Sequence, residues 1–215
     1  MKIRTVEMLS DFLSHDLAWR KKELTDIRRI FQLSEHSTRR KALTRCGIAL
    51  LYAHFEGFTK QAGRAYLEYI AAQRLKNSEI SSNLRAVTLR ELLSSVESSR
   101  KPSAYQPVVD LFENQDGARA KIPYKTAIDT ESNLSSRVLR EIIFILGLDY
   151  SAYESKQVLI DSKLLGRRNH IAHGELLDID DDDYDDMHNS VITLLNCLRN
   201  QIESAATSKS YVKAV

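Results

Sequence analysis

The chain has 215 residues, 43% of them hydrophobic, which suffices for one globular domain with a buried core and excludes a disordered chain. Seven glycines and three prolines fall well below average usage, so a turn-dense sandwich, barrel or low-complexity chain is disfavoured. The net charge of +2 argues neither for nor against a nucleic-acid binder, but it is unevenly spread: +6 over residues 1–64, +2 over 65–173 and −6 over 174–215.

In chain order, apolar residues at Leu9, Phe12, Leu13, Leu17, Leu24, Ile27 and Ile30 recur at steps of three and four, predicting one long amphipathic helix from about Thr5 to Ser34. A second helix is expected from Ser37 or Thr38 to about Lys76. Leu51, Phe55, Phe58, Ala62, Tyr66 and Tyr69 form its stripe, with Leu43, Cys46, Leu50 and Ala53 beside it, so it is expected to be central. Residues 77–132 are the least legible. Leu89, Leu92, Leu93 and Val96 suggest one helix and Val108 to Phe112 a short second, with Pro102, Pro107 and Pro123 breaking the rest, so this stretch reads as an insertion or cap.

Periodicity returns after Asn133, a candidate N-cap, and stops at Gly147. The run IIFIL inside it reads as helix because no second strand-like segment exists to pair with it. Another helix is predicted from about Ser155 to His173, and a last one from Asp181 to about Ala206, with residues 207–215 a frayed tail. The expectation is a single all-α domain over 1–215, an up-and-down bundle of four to five principal helices with an irregular excursion in the middle.

Cys46 and Cys197 lie far apart within apolar patterns, so neither a disulfide nor a cysteine zinc site is expected and the compartment reads as reducing. No stretch approaches the length of a membrane span. A cytoplasmic location is the resulting expectation, with no membrane partner.

The densest chemistry lies in Leu164-Leu165-Gly166-Arg167-Arg168-Asn169-His170-Ile171-Ala172-His173-Gly174-Glu175. An arginine, a polar residue and then a histidine, as in Arg168, Asn169 and His173, resemble the signature of the HEPN superfamily of helical nucleotide-binding domains. Leu50 to Phe58 is similar to the central helix of its toxin-type branch near the RiboL-PSP group, and Ser132-Asn133-Leu134 resembles that branch's "SNL" helix start. The resemblance covers about residues 40–200, without the middle excursion. It implies a HEPN-like bundle and a metal-independent endoribonuclease, usually a homodimer whose motif copies face one another across a cleft.

The residue chemistry can be argued separately. Metal-free RNA cleavage needs a base for the 2′-hydroxyl proton, an acid for the departing 5′-oxygen and a cation for the phosphorane. His173 suits acid or base work near neutrality, Arg168 offers a planar fork for phosphate oxygens, and Asn169 would orient His173 or the phosphate. The expected product carries a 2′,3′-cyclic phosphate and a 5′-hydroxyl. On an ideal helix Asn169 and His173 share a face, whereas Arg168 and His173 diverge by roughly 140°. A two-fold dimer would then supply the missing groups.

His170 could join the site or bind a metal, though no further Cys or His stands at ligand spacing. Glu56 and Tyr52, four apart on the central helix, are supporting candidates, Glu56 through an ion pair to Arg168 or through direct chemistry. Arg39, Arg40, Lys41, Arg45 and Arg167 are the candidate phosphate contacts, with Arg20, Lys21, Lys22, Arg28 and Arg29 lining the first helix. The acidic run at 178–186 reads as a solvated helix start, or as a surface that repels RNA or docks a basic partner. No cofactor is expected. The functional expectation is a toxin of a toxin–antitoxin or antiphage module, with RNA, possibly tRNA, as substrate and an antitoxin or neighbouring defence protein as partner. The other reading is a non-catalytic dimer that binds RNA, a nucleotide or a protein.

Overall fold

The computed structural model describes residues 2–34, 36–97, 99–113, 117–176 and 180–213. The architecture is all-α, and no strand occurs among the described residues. Helix α1 (Val6–Gln32) starts where the Thr5 side chain accepts a hydrogen bond from the Met8 N–H at 3.2 Å, and it buries Leu9, Leu13, Leu17 and Leu24. Ile30, expected on that stripe, is exposed. Helix α2 (Ser37–Ala72) is central, packing on α1, on the last helix and on the motif segment. Its Ile48, Leu51, Phe55, Phe58, Ala62 and Tyr66 are buried. Cys46 and Ala53, expected on a second apolar flank, are exposed, so the first half of α2 buries less of its circumference than expected.

The middle forms α3 (Ser82–Val96), a 3₁₀ turn at Pro102–Tyr105 and α4 (Gln106–Glu113). It is more than a cap. Ile80, Leu84, Val87, Ile122, Ala127 and Ile128 from this stretch join the main core. The Asn77 N–H and the Ala120 N–H tie it to the end of α2 through Ala118 O and Leu75 O.

Helix α5 (Ser136–Leu146) is capped by Ser135, whose hydroxyl accepts from the Val138 N–H, rather than by Asn133. The Asn133 side chain is used elsewhere, as described below. Gly147 ends α5 at φ 66°, the left-handed conformation that glycine adopts without steric cost. The helix expected over 155–173 is present as one continuous run over residues 157–172, but it is not α-helical throughout. A short α6 (Ser151–Glu154) comes first, and then a π-helical segment at Leu159–Gly166 runs without interruption into α7 (Arg167–Ala172).

Helix α8 (Asp181–Ser208) closes the bundle against α1 and α2. It packs so closely that a Cβ on Gly47 would lie 2.5 Å from the buried Tyr184 hydroxyl. The tail expected to fray is docked instead. Tyr211 is buried, its hydroxyl lies 3.2 Å from that of Tyr69, and its carbonyl accepts from the Ser81 N–H at 2.9 Å. Residues 214 and 215 lie outside the described residues.

Candidate active site

Three segments distant in sequence meet beside α2. The guanidinium of Arg168, in the first turn of α7, sits 4.2 Å above the Tyr52 ring, a cation–π contact on the inner side of the motif helix. Its Nη2 donates to Asn133 Oδ1 at 2.8 Å and to Ser132 O at 3.3 Å. The Tyr52 hydroxyl accepts the buried Leu134 N–H at 2.6 Å. Burial pushes the Tyr52 phenol above its ordinary range even though Arg168 and the Leu134 N–H pull it back. The hydroxyl therefore stays protonated and can still donate.

Thr130 to Asn133 forms a tight turn in which the Thr130 carbonyl accepts from the Asn133 N–H at 2.9 Å. Its two central residues, Glu131 at φ 51° and Ser132 at φ 60°, are both left-handed. That sign pattern ordinarily selects asparagine and glycine, and each L side chain there costs about 1 kcal/mol or more. The strain persists because the turn is held from several sides. Thr130 Oγ1 donates to Glu56 Oε1 at 2.6 Å, and the Glu131 N–H donates to Asp129 Oδ1. Asp161, on the π segment, accepts from both the Ser136 N–H and the Ser136 hydroxyl at 2.6 Å. Glu56 thus supports the turn, and among the described residues it forms no ion pair with Arg168.

The other end of α7 faces solvent. His173 is the exposed C-cap residue, and its N–H donates to the Asn169 carbonyl at 3.0 Å. Gly174 follows at φ 77°, with the Gly174 N–H donating to Ile171 O and the Glu175 N–H to His170 O, which together close the helix as a Schellman motif. His170 Nδ1 pairs with the Glu175 carboxylate, and this histidine, with His173 beside it, holds the Glu175 carboxyl below its ordinary range. Arg45 reaches over from α2 to donate to the Glu175 carbonyl at 2.5 Å, fixing the turn after the motif. Among the described residues no hydrogen bond joins Arg168 to His173, and none involves the Asn169 side chain.

The other candidate cations take different places. Arg167 pairs with Asp183, which also takes Lys163 at 2.6 Å. Burial alone would raise the Asp183 carboxyl, but these two cations win and hold it low. Arg28 likewise pairs with Asp185 at 2.8 Å. Two aspartates of the acidic start of α8, Asp183 and Asp185, are therefore paired within the molecule, while Asp180, Asp182 and Asp186 are exposed and residues 178–179 of that run lie outside the described residues. The Arg40 guanidinium covers the Phe31 ring at 4.9 Å, whereas Arg39 and Lys41 are exposed. His54 points away from the site. It is buried against α1, within 3.4 Å of Arg20 and hydrogen-bonded to Glu23.

Sequence reasoning missed the turn's role as the acceptor for Arg168, and it missed Asp161. Neither carries a spacing signal, since both act through long-range contacts. Within the site, Arg168 keeps unused donor capacity at Nη1, while two histidines stand in solvent a turn away. Such an arrangement can bind a phosphate at one end of α7 and exchange a proton at the other. No group of His, Cys, Asp and Glu fit for a metal occurs among the described residues, and among them no helix is long and apolar enough to cross a membrane.

No curated protein and no solved structure matches the chain. A family model described as MAE_28990-like HEPN matches residues 9–211. That span runs from within the first turn of α1 to the docked tail, and the chain belongs to the MAE_28990-like HEPN family.

Proposed function

We propose that this HEPN protein is a metal-independent endoribonuclease acting as a homodimer, with Arg168 as the phosphate clamp and His173 as the acid or base. The observation that carries the reading is the division of labour along α7. Arg168 is oriented by the Tyr52 face and the Ser132–Asn133 acceptors, whereas His173, at the far end of the same helix, is exposed, and its ring has no hydrogen-bonded partner among the described residues.

Within one protomer these groups diverge, so a second copy supplies the complementary pair: one His173 takes the 2′-hydroxyl proton while the other protonates the leaving 5′-oxygen. Asn169 shares the His173 face and steadies the scissile phosphate. The biological setting that fits best is a toxin of a toxin–antitoxin or antiphage module, held in check by a partner protein.

The test is incubation of the wild type and His173→Ala with total RNA and defined tRNAs in excess EDTA, reading fragment lengths and end groups. Cleavage by the wild type alone, leaving cyclic phosphate ends, is expected. An absence of cleavage, or equal cleavage by both proteins, refutes the assignment. A stable dimer that binds RNA without cutting it would make the motif a recognition site.

A further inference from the structure

We infer that a second, strongly cationic groove, built from the N-terminal segment, the end of α2 and the 118–125 segment, is an exosite for the phosphate backbone of folded RNA. Two adjoining open cavities of about 490 and 370 Å³ share Ile3, Glu68 and Tyr124, so they form one trough. Its walls carry Lys2, Arg4, Arg64, Arg74, Arg119 and Lys125 against a single carboxylate, Glu68. That is a local excess of five positive charges in a chain whose total is +2.

The cations of this trough differ from those around α8. Arg28, Lys163 and Arg167 have carboxylate partners, but among the described residues none of the trough's six cations is in an ion pair. Arg119 instead donates to the Ala71 carbonyl at 3.1 Å, and the C-terminal dipole of α2 offsets only about half a charge. Concentrating like charges without partners raises the energy of the folded chain, and an anionic ligand that neutralises them recovers it. The floor adds a second element. Ile3 is buried, Phe12 and Tyr124 are half-buried, and an aromatic ring beneath a cationic rim suits the stacking of a base between phosphate contacts.

Position sets the ligand's size. Arg64 lies twelve residues beyond Tyr52 on α2, which is about 18 Å along the axis and roughly 120° around it. A short strand lying on Arg168 would not follow that path, whereas a folded RNA can touch both surfaces. The inference rests on the proposal that RNA is the substrate, but it concerns binding and is separable from cleavage.

The experiment measures affinity for a tRNA pool across about 50 to 200 mM salt in the His173→Ala background. It compares that protein with a groove variant, Arg4→Gln/Lys125→Gln/Arg74→Gln, and a control variant, Arg100→Gln/Lys101→Gln/Lys209→Gln, which removes three exposed cations elsewhere. The three groove residues are exposed, and among the described residues their side chains make no hydrogen bond or ion pair, so circular dichroism should be unchanged. The groove variant is expected to bind about tenfold more weakly, with the slope of log K against log salt shallower by about 2 to 3. The control should retain most of its affinity.

Equal losses in the two variants, or no loss in either, overturn the exosite. Displacement of the tRNA by a mononucleotide at matched phosphate concentration would also overturn it, because the trough would then be a small-anion site. Groove-dependent binding by a wild type that does not cut RNA would leave the exosite standing and refute the nuclease.

Discussion

Replacing Tyr52 by phenylalanine isolates one atom of the clamp. The hydroxyl is the acceptor for the Leu134 N–H at 2.6 Å, and both residues are buried, at 3% and 0% exposure. Phenylalanine keeps the ring beneath Arg168 but strands a backbone donor where water cannot reach it. An orphaned buried donor costs about 1–3 kcal/mol, and at this chain length each kcal/mol lowers the melting temperature by roughly 2–4 °C. The expected drop is therefore about 4–8 °C for a central loss of about 2 kcal/mol. Thermal unfolding followed by circular dichroism reads it directly. Because the same turn presents Ser132 O and Asn133 Oδ1 to Arg168, the loss should be non-additive with Arg168→Ala in a double-mutant cycle. A melting temperature within about 1 °C of wild type, or strict additivity with Arg168→Ala, would refute the claim that Tyr52 holds the turn that holds the arginine.

Three further outcomes are expected. Arg168→Lys should lose about 10²-fold in RNA cleavage despite keeping its charge, because an ammonium cannot stack flat on Tyr52 and reach two acceptors together; near-normal rates would show the fork to be dispensable. Ser132→Gly should raise stability by about 0.5 kcal/mol, the relief of a left-handed side chain less the extra freedom glycine gives the unfolded chain, and a lower melting temperature would contradict the strain assigned to the turn. Burial pushes both His54 and His188 below the ordinary imidazole value. The unfolded chain then takes up protons first as pH falls below about 6.5, so stability should rise with pH up to that point and decline beneath it. His54→Gln/His188→Gln should flatten that dependence in melts taken between about pH 5 and 8.

Periodicity made α1, α2, α5 and α8 legible, because each lays a continuous apolar stripe on the core, and Gly147 ends α5 where a glycine was expected. Elsewhere, side chains serve two masters. Asn133 has the local chemistry of an N-cap, yet its oxygen goes to Arg168, and Ser135 caps the helix instead. The left-handed pair Glu131–Ser132 was invisible because neither residue favours that conformation alone; only Tyr52, Glu56 and Arg168, brought in by the fold, make it tolerable. The docking of Tyr211 rests on a single ring and a few backbone bonds, which leave no repeating pattern. The three segments that carry the family resemblance do converge in space, although through contacts that spacing could not specify.

The π segment at Leu159–Gly166 has a mechanical consequence. Its turns are wider than those of an α-helix, and a Cβ on Gly166 would lie 3.3 Å from the Asp161 carbonyl, close quarters that favour glycine there. Ile160 and Leu164 keep their grip on the core, whereas everything after Gly166 is phased by the surplus residue in the coil. The compass bearing of Arg168 and His173 is thus decoupled from the packing that anchors the helix. Winding the same eight residues as ordinary α-helix, at about 100° each, would add rotation and swing Arg168 and His173 away from their present bearing, taking the guanidinium off the Tyr52 ring.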